Sequence, residues 1–176
     1  AIVGLGGIGL CVAERLKTFG MKIDGYNNEL IPLVSFINQL LPLRDLYSNL
    51  QIYDVVISAL PLTKYTEKFF NKKFFLKMKK NSIFINVSRG KVVDQNSLED
   101  KKLIKKFRGI GLDVTDPEPL SKNSLLNISE NIILTNHTAG HSDNNRDRSK
   151  ELVIENIKRF ILKENLINVV DKNKEY

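Results

Sequence analysis

What most constrains this chain is its beginning, Ala1-Ile2-Val3-Gly4-Leu5-Gly6-Gly7-Ile8-Gly9. A short apolar run enters a G-x-G-x-x-G turn and an amphipathic segment leaves it, with Ile8, Val12, Leu16 and Phe19 at helical spacing over residues 8–19. Strand, glycine turn and helix in that order are the context in which such glycines bind a dinucleotide. Gly4 permits the tight turn, Gly6 lets the backbone approach a pyrophosphate, and Gly9 lets helix and strand pack closely. The open N–H groups and partial positive charge of the helix start then face the phosphates.

Residues 21–26 read as a second strand. Its end is where an acid usually holds the ribose hydroxyls, and the spacing lands on Asn27. Asn can bond a hydroxyl but does not repel a 2′-phosphate; no Arg stands nearby to grip that phosphate, and Glu29 follows closely. The cofactor expected is NAD or NADP, with NAD favoured.

Further on, residues 30–41 suggest a short strand and loops near Pro32 and Pro42, and 43–50 a short helix. Residues 53–60 form a buried strand halted by Pro61, and 66–80 a helix through Phe70, Phe74 and Met78. A strand over 82–87 follows, then a helix opened by Ser97-Leu98-Glu99 and running through Leu103, Ile104 and Phe107. A strand over 109–114 ends at Asp113. After the Pro-rich loop 116–119 come a strand over 131–135 and a helix over 143–163, with Val153, Ile157, Phe160 and Ile161 on one face. Strands alternating with helices, without hairpin signals, predict an α/β fold: a doubly wound parallel sheet of the Rossmann type.

The 176 residues suffice for one domain with a real core. The net charge of +7 invites a nucleic-acid reading. The excess lies mainly in lysines of 72–80 and 101–108, which also carry helical apolar residues and read as solvated helix faces without the aromatic-plus-Arg pattern of base recognition. No nucleic-acid partner and no membrane span is expected. The single Cys11 excludes an internal disulfide and has no partner cysteines for a metal site, so a reducing, cytoplasmic setting is expected. The chain opens inside a strand without an initiator Met, which reads as a fragment.

Ligands of open parallel sheets lie beyond the carboxyl ends of the strands. Arg89, Asp113, Glu118 and His137 all follow predicted strand ends and would converge on one crevice. A guanidinium holds a carboxylate and carbonyl oxygen through paired bonds. An imidazole exchanges a proton near neutral pH, and a neighbouring carboxylate favours its charged form.

The motifs GLGGIG (4–9), ALPLT (59–63), MKKNSIFINVSRGKVVD (78–94), GLDVTDPEPL (111–120), NIILTNHTAG (131–140) and ENIKRFILKENLINVVD (155–171) resemble the nucleotide-binding domain of the D-isomer-specific 2-hydroxyacid dehydrogenases, in family order. The resemblance implies hydride transfer between a nicotinamide cofactor and a small 2-keto or 2-hydroxy acid, of glyoxylate or hydroxypyruvate type. It assigns substrate binding to Arg89, the catalytic carboxyl to Glu118 and the acid–base role to His137. Gly4, Gly6, Gly7, Ile8, Gly9 and Asn27 would bind the cofactor. So would Leu60, Pro61, Thr66, Val87, Ser88, Arg89, Asp113, His137, Ala139 and Gly140, with Asp113 at the nicotinamide carboxamide. His141 has no role in the motif.

Two residues depart from the family pattern: Asn27 stands for the usual Asp, and Asn136 for the common Pro before the acid–base His. The resemblance further implies residues 1–141 as the dinucleotide-binding domain and 142–176 as a helix and tail leading back to a substrate domain that is largely absent. A homodimer is expected. The alternative is a non-catalytic dinucleotide-sensing module of the same family.

Overall fold

The computed structural model describes residues 1–29 and 31–176; Leu30, at the start of the stretch expected to hold a short strand, lies outside them. The chain divides into two compact units, Ala1–His137 and Thr138–Tyr176.

In the first unit, β1 (Ile2–Val3) runs through the glycine turn into helix α1 (Gly7–Thr18), and β2 (Asp24–Asn27) and β3 (Gln39–Pro42) follow. A 3-10 turn (Leu43–Asp45), α2 (Leu46–Asn49) and a second 3-10 turn (Leu50–Ile52) lead to β4 (Val55–Ser58). The chain continues through α3 (Lys72–Lys77), β5 (Ile83–Asn86), α4 (Gln95–Leu98), α5 (Lys101–Ile104), β6 (Gly109–Leu112), α6 (Leu125–Ile128) and β7 (Ile132–Leu134).

Among the described residues all strands pair in parallel in the order β3-β2-β1-β4-β5-β6-β7. The order reverses between β1 and β4, where Ile2 lies opposite both Gly25 and Ile57. Such a reversal leaves a crevice at the carboxyl edge, because the connections on either side of it leave toward opposite faces. Alternation along β1 shows both faces filled. Val3 joins a cluster with Tyr26, Val56, Phe74 and Phe84, while Ile2 joins Leu5, Ala13 and Ile23. Edge-to-face phenylalanines hold the larger cluster together, with Phe70–Phe74 centroids at 4.9 Å and Phe75–Phe84 at 5.0 Å.

Several local expectations need correction. The buried face of α1 is Gly9 and Ala13, with Leu16 partly covered; Ile8 and Phe19 are 59% and 80% exposed. Small residues, not the larger apolar ones, let this helix lie close to β1. The helix expected over 66–80 shrinks to α3. Phe70 is instead drawn into a parallel bridge with Val93, and Asn71 caps α3 by accepting from Phe74 N. The helix expected through residues 97–107 is broken in two. Asp100 accepts from the N–H groups of Lys102 and Leu103 and starts a new helix at Lys101, while Ser97, expected to open the helix, lies inside α4. Helix α6 was not foreseen; Ser124 caps it.

In the second unit, α7 spans Asn145–Ile161, and Val153, Ile157, Phe160 and Ile161 are exposed on it. The tail turns back on this helix through Asn156, which bonds both N–H and C=O of Ile167. No helix among the described residues is long and apolar enough to cross a membrane.

Candidate active site

At the end of β1, Gly4 has φ +94, a conformation that side chains rarely adopt, and a Cβ there would lie 2.6 Å from the Ala59 carbonyl oxygen. A Cβ on Gly9 would lie 2.0 Å from the Gly4 oxygen. These two glycines are therefore required by the protein's own backbone. Gly6 and Gly7 differ: a Cβ on either meets nothing within 4 Å. Their openness lies where α1 begins, with Gly6 as a cap that offers no side chain. A pyrophosphate fits this cradle, because the first N–H groups of a helix have no partner within it and neither glycine puts a side chain into the space there.

Asn27 closes the β2 side. Its Oδ1 accepts from Leu5 N at 3.3 Å and its Nδ2 donates to Glu29 O at 3.0 Å, so the amide ties the glycine loop to the end of β2. Beyond β4, Leu60 is buried and Pro61 half-buried. The Thr66 hydroxyl, expected to serve the cofactor, is turned inward. It donates to Pro61 O at 2.6 Å and accepts from Thr63 N at 2.8 Å, fixing the turn that carries Pro61.

Beyond β5, a buried network shapes the turn Val87-Ser88-Arg89. Asn86 Oδ1 accepts from Ser88 N at 3.1 Å and from Ser88 Oγ at 2.7 Å, and its Nδ2 donates to Arg89 O at 3.0 Å. Ser58 and Ser88 hydroxyls meet at 3.1 Å, joining the ends of β4 and β5. The Arg89 side chain is exposed, with Nη1 donating to Ser88 O at 2.7 Å.

The last two strand ends bring the remaining groups together. His137 Nδ1 stands 3.0 Å from Glu118 Oε1, with side chains 47% and 40% exposed. An ionised carboxylate only accepts, so against one Nδ1 is the donor of this pair. His137 is held at φ 54, on the order of 1–2 kcal/mol above ordinary backbone, by its N–H donating to Asp113 O at 2.9 Å. Asp113 is buried, and its Oδ1 accepts from Thr135 Oγ1. The expected pairing of carboxyl and imidazole is therefore present, while the Arg89 guanidinium rests against its own turn. Ala139 and Gly140 belong to the second unit, where Gly140 O accepts from Asn145 Nδ2. His141 is exposed, its N–H bonded to Thr138 O.

Sequence reading missed Asn86 and Thr135. Asn86 did leave a signal: a polar residue closing the apolar strand Ile83-Phe84-Ile85, with no partner visible until the turn forms.

A parallel sheet with a reversed strand order, an open glycine cradle and a carboxyl–imidazole contact at its carboxyl edge defines a Rossmann-type dinucleotide-binding domain. Residues 1–139 match the D-isomer specific 2-hydroxyacid dehydrogenase family, NAD binding domain. The chain belongs to that family.

A glyoxylate reductase of Korarchaeum cryptofilum is 39% identical over 95% of this chain and 51% of its own length. The glyoxylate reductase/hydroxypyruvate reductase of Homo sapiens is 35% identical over 89% and 48%. The chain thus spans about half the length of these curated relatives. Among solved structures, a D-isomer specific 2-hydroxyacid dehydrogenase from Xanthobacter autotrophicus Py2, in complex with NADPH and MES, superposes with TM-score 0.90 at 28% identity, over 99% of this chain and 71% of that one. An NADPH-dependent glyoxylate/hydroxypyruvate reductase from Sinorhizobium meliloti, with NADP and sulfate, gives 0.89 at 29%, over 99% and 56%.

Proposed function

We propose that the chain acts as an NAD(P)-dependent oxidoreductase of small 2-keto and 2-hydroxy acids, of glyoxylate or hydroxypyruvate type. The observation that carries this is the His137–Glu118 contact of 3.0 Å beyond the ends of β6 and β7, on the carboxyl edge of the same parallel sheet whose β1 ends in the glycine cradle. A nicotinamide bound here would supply or accept the hydride. Gly6, Gly7 and the start of α1 would hold its pyrophosphate, and the turns at Leu60–Pro61 and Val87–Ser88 would line its nicotinamide end with Asp113. His137 Nε2 gives a proton to the substrate carbonyl oxygen during reduction and recovers it in the reverse direction. Glu118 steadies the imidazolium and orients its ring. Arg89 swings from the Ser88 carbonyl to clasp the substrate carboxylate, exchanging a neutral acceptor for a charged one.

NAD is proposed ahead of NADP. The segment 24–29 carries Asp24 and Glu29 and no cation to meet a 2′-phosphate, and the Asn27 amide is already engaged with backbone. Residues 1–141 are proposed as the nucleotide-binding domain, in a cytoplasmic homodimer testable by sedimentation.

Fluorescence titration of the chain with NADH and NADPH tests the reading. Both bind, NADH more tightly, and turnover of glyoxylate or hydroxypyruvate by this chain alone is slow. Failure to bind either nucleotide refutes the assignment. Turnover unaffected by His137→Ala, in the protein that carries the substrate-binding half, removes His137 from the acid–base role; nucleotide binding with no turnover at all in that protein leaves a cofactor sensor instead.

A further inference from the structure

The segment that carries Glu118 has few anchors of its own. Pro117 and Pro119 contribute no N–H. Among the described residues, two hydrogen bonds leave residues 115–120: Asp116 N donates to Gln95 Oε1 at 2.8 Å, and Glu118 meets His137. The bond from Thr115 Oγ1 to Pro117 O stays inside the loop. A few residues on, Ser124 Oγ donates to Glu99 Oε1 at 2.7 Å and Leu125 N approaches Glu99 Oε2 at 3.4 Å.

Gln95 and Glu99 lie one helical turn apart, at the start of α4 and at its C-cap, and Gln95 Nε2 reaches Glu99 Oε1 at 3.5 Å. Helix α4 itself is fixed by Ser97 and Leu98, which are buried in the core. One short, well-anchored element therefore grips the segment in front of Glu118 and behind it. Backbone contact adds a stop on the other side, since a Cβ on Gly90 would lie 1.8 Å from Thr115 O.

We infer that Gln95 is the positioning residue of the acid–base pair: through the Asp116 N–H it holds Glu118 within reach of His137, while Glu99 fixes the far end of the loop. The inference rests on the proposed role of Glu118 and His137, and its test reads the pair without substrate or cofactor. Gln95 is half-exposed, so Gln95→Met removes the acceptor without opening a core cavity. Gln95→Asn shortens the reach.

Nitrogen-15 spectra of the neutral His137 ring, recorded in a His141→Gln background so that one histidine remains, report the tautomer. The parent shows the Nδ1–H form set by Glu118. Gln95→Met and Gln95→Asn give the mixed tautomers of a free imidazole, with the Asp116 amide exchanging about fivefold faster. An unchanged His137 signal in both Met and Asn variants overturns the inference. Scrambled tautomers in a protein that reduces no 2-keto acid support the clamp and remove the oxidoreductase reading instead.

Discussion

Gly9→Ala and Gly6→Ala are chemically identical changes three residues apart, and the structure gives them different outcomes. A Cβ at position 9 meets the Gly4 carbonyl oxygen at 2.0 Å, backbone against backbone, with Ile2 Cγ2 behind it at 3.5 Å. Neither neighbour is the free end of a flexible side chain, so α1 must withdraw from β1 by more than an ångström. Overpacking of this kind costs about 1–3 kcal/mol, offset by about 0.5–1 kcal/mol from replacing a helical glycine. At about 2–4 °C per kcal/mol for a chain of this size, the melting temperature falls by several degrees. The helix start moves with it, and loss of charge-assisted bonds worth about 1.5–3 kcal/mol weakens NADH binding roughly 10- to 100-fold. Position 6 is open, and its φ of −79 suits alanine. Stability there changes by about 0.5 kcal/mol or less, yet the methyl occupies the space proposed for the pyrophosphate and affinity falls about tenfold or more. Calorimetric melts paired with fluorescence titration separate the two. Gly6→Ala binding NADH like the parent, or Gly9→Ala melting like the parent, refutes the reasoning.

Other consequences follow from single residues. Phe74 is fully buried against Tyr47, Phe70 and Phe75, so Phe74→Ala costs about 3–5 kcal/mol in a denaturant titration. His137→Ala, in the protein carrying the substrate-binding half, collapses keto-acid turnover in steady-state assays while leaving the NADH dissociation constant close to the parent's. The Asp100 carboxyl is held below its usual range by Lys72, then by the N–H groups of Leu103 and Lys102. Its contribution to stability is therefore present above the unfolded value near 3.8 and lost as pH falls through the lower folded value. Asp100→Asn keeps a capping side chain but removes the charge, so its melting temperature falls less than the parent's on acidification.

Much of this protein was legible along the chain. The glycine turn, the alternation of apolar runs with amphipathic ones, and the residues following each run specify a parallel α/β sheet with chemistry at its carboxyl edge, because strand and helix periodicities are local properties. Resemblance to known motifs then named Arg89, Glu118 and His137. Tertiary structure decided the rest. Phe70 left its helical pattern because Val93, far along the chain, offered a parallel bridge. Asp100 broke a continuous helical pattern by capping what followed it. Glu118 and His137 meet across 19 positions, and Gln95 reaches Asp116 across 21. Spacing in sequence reports which side chains share one element's face. Only the order in which β5, β6 and β7 lie side by side, each with its own loop, determines which polar groups from different elements come within 3 Å.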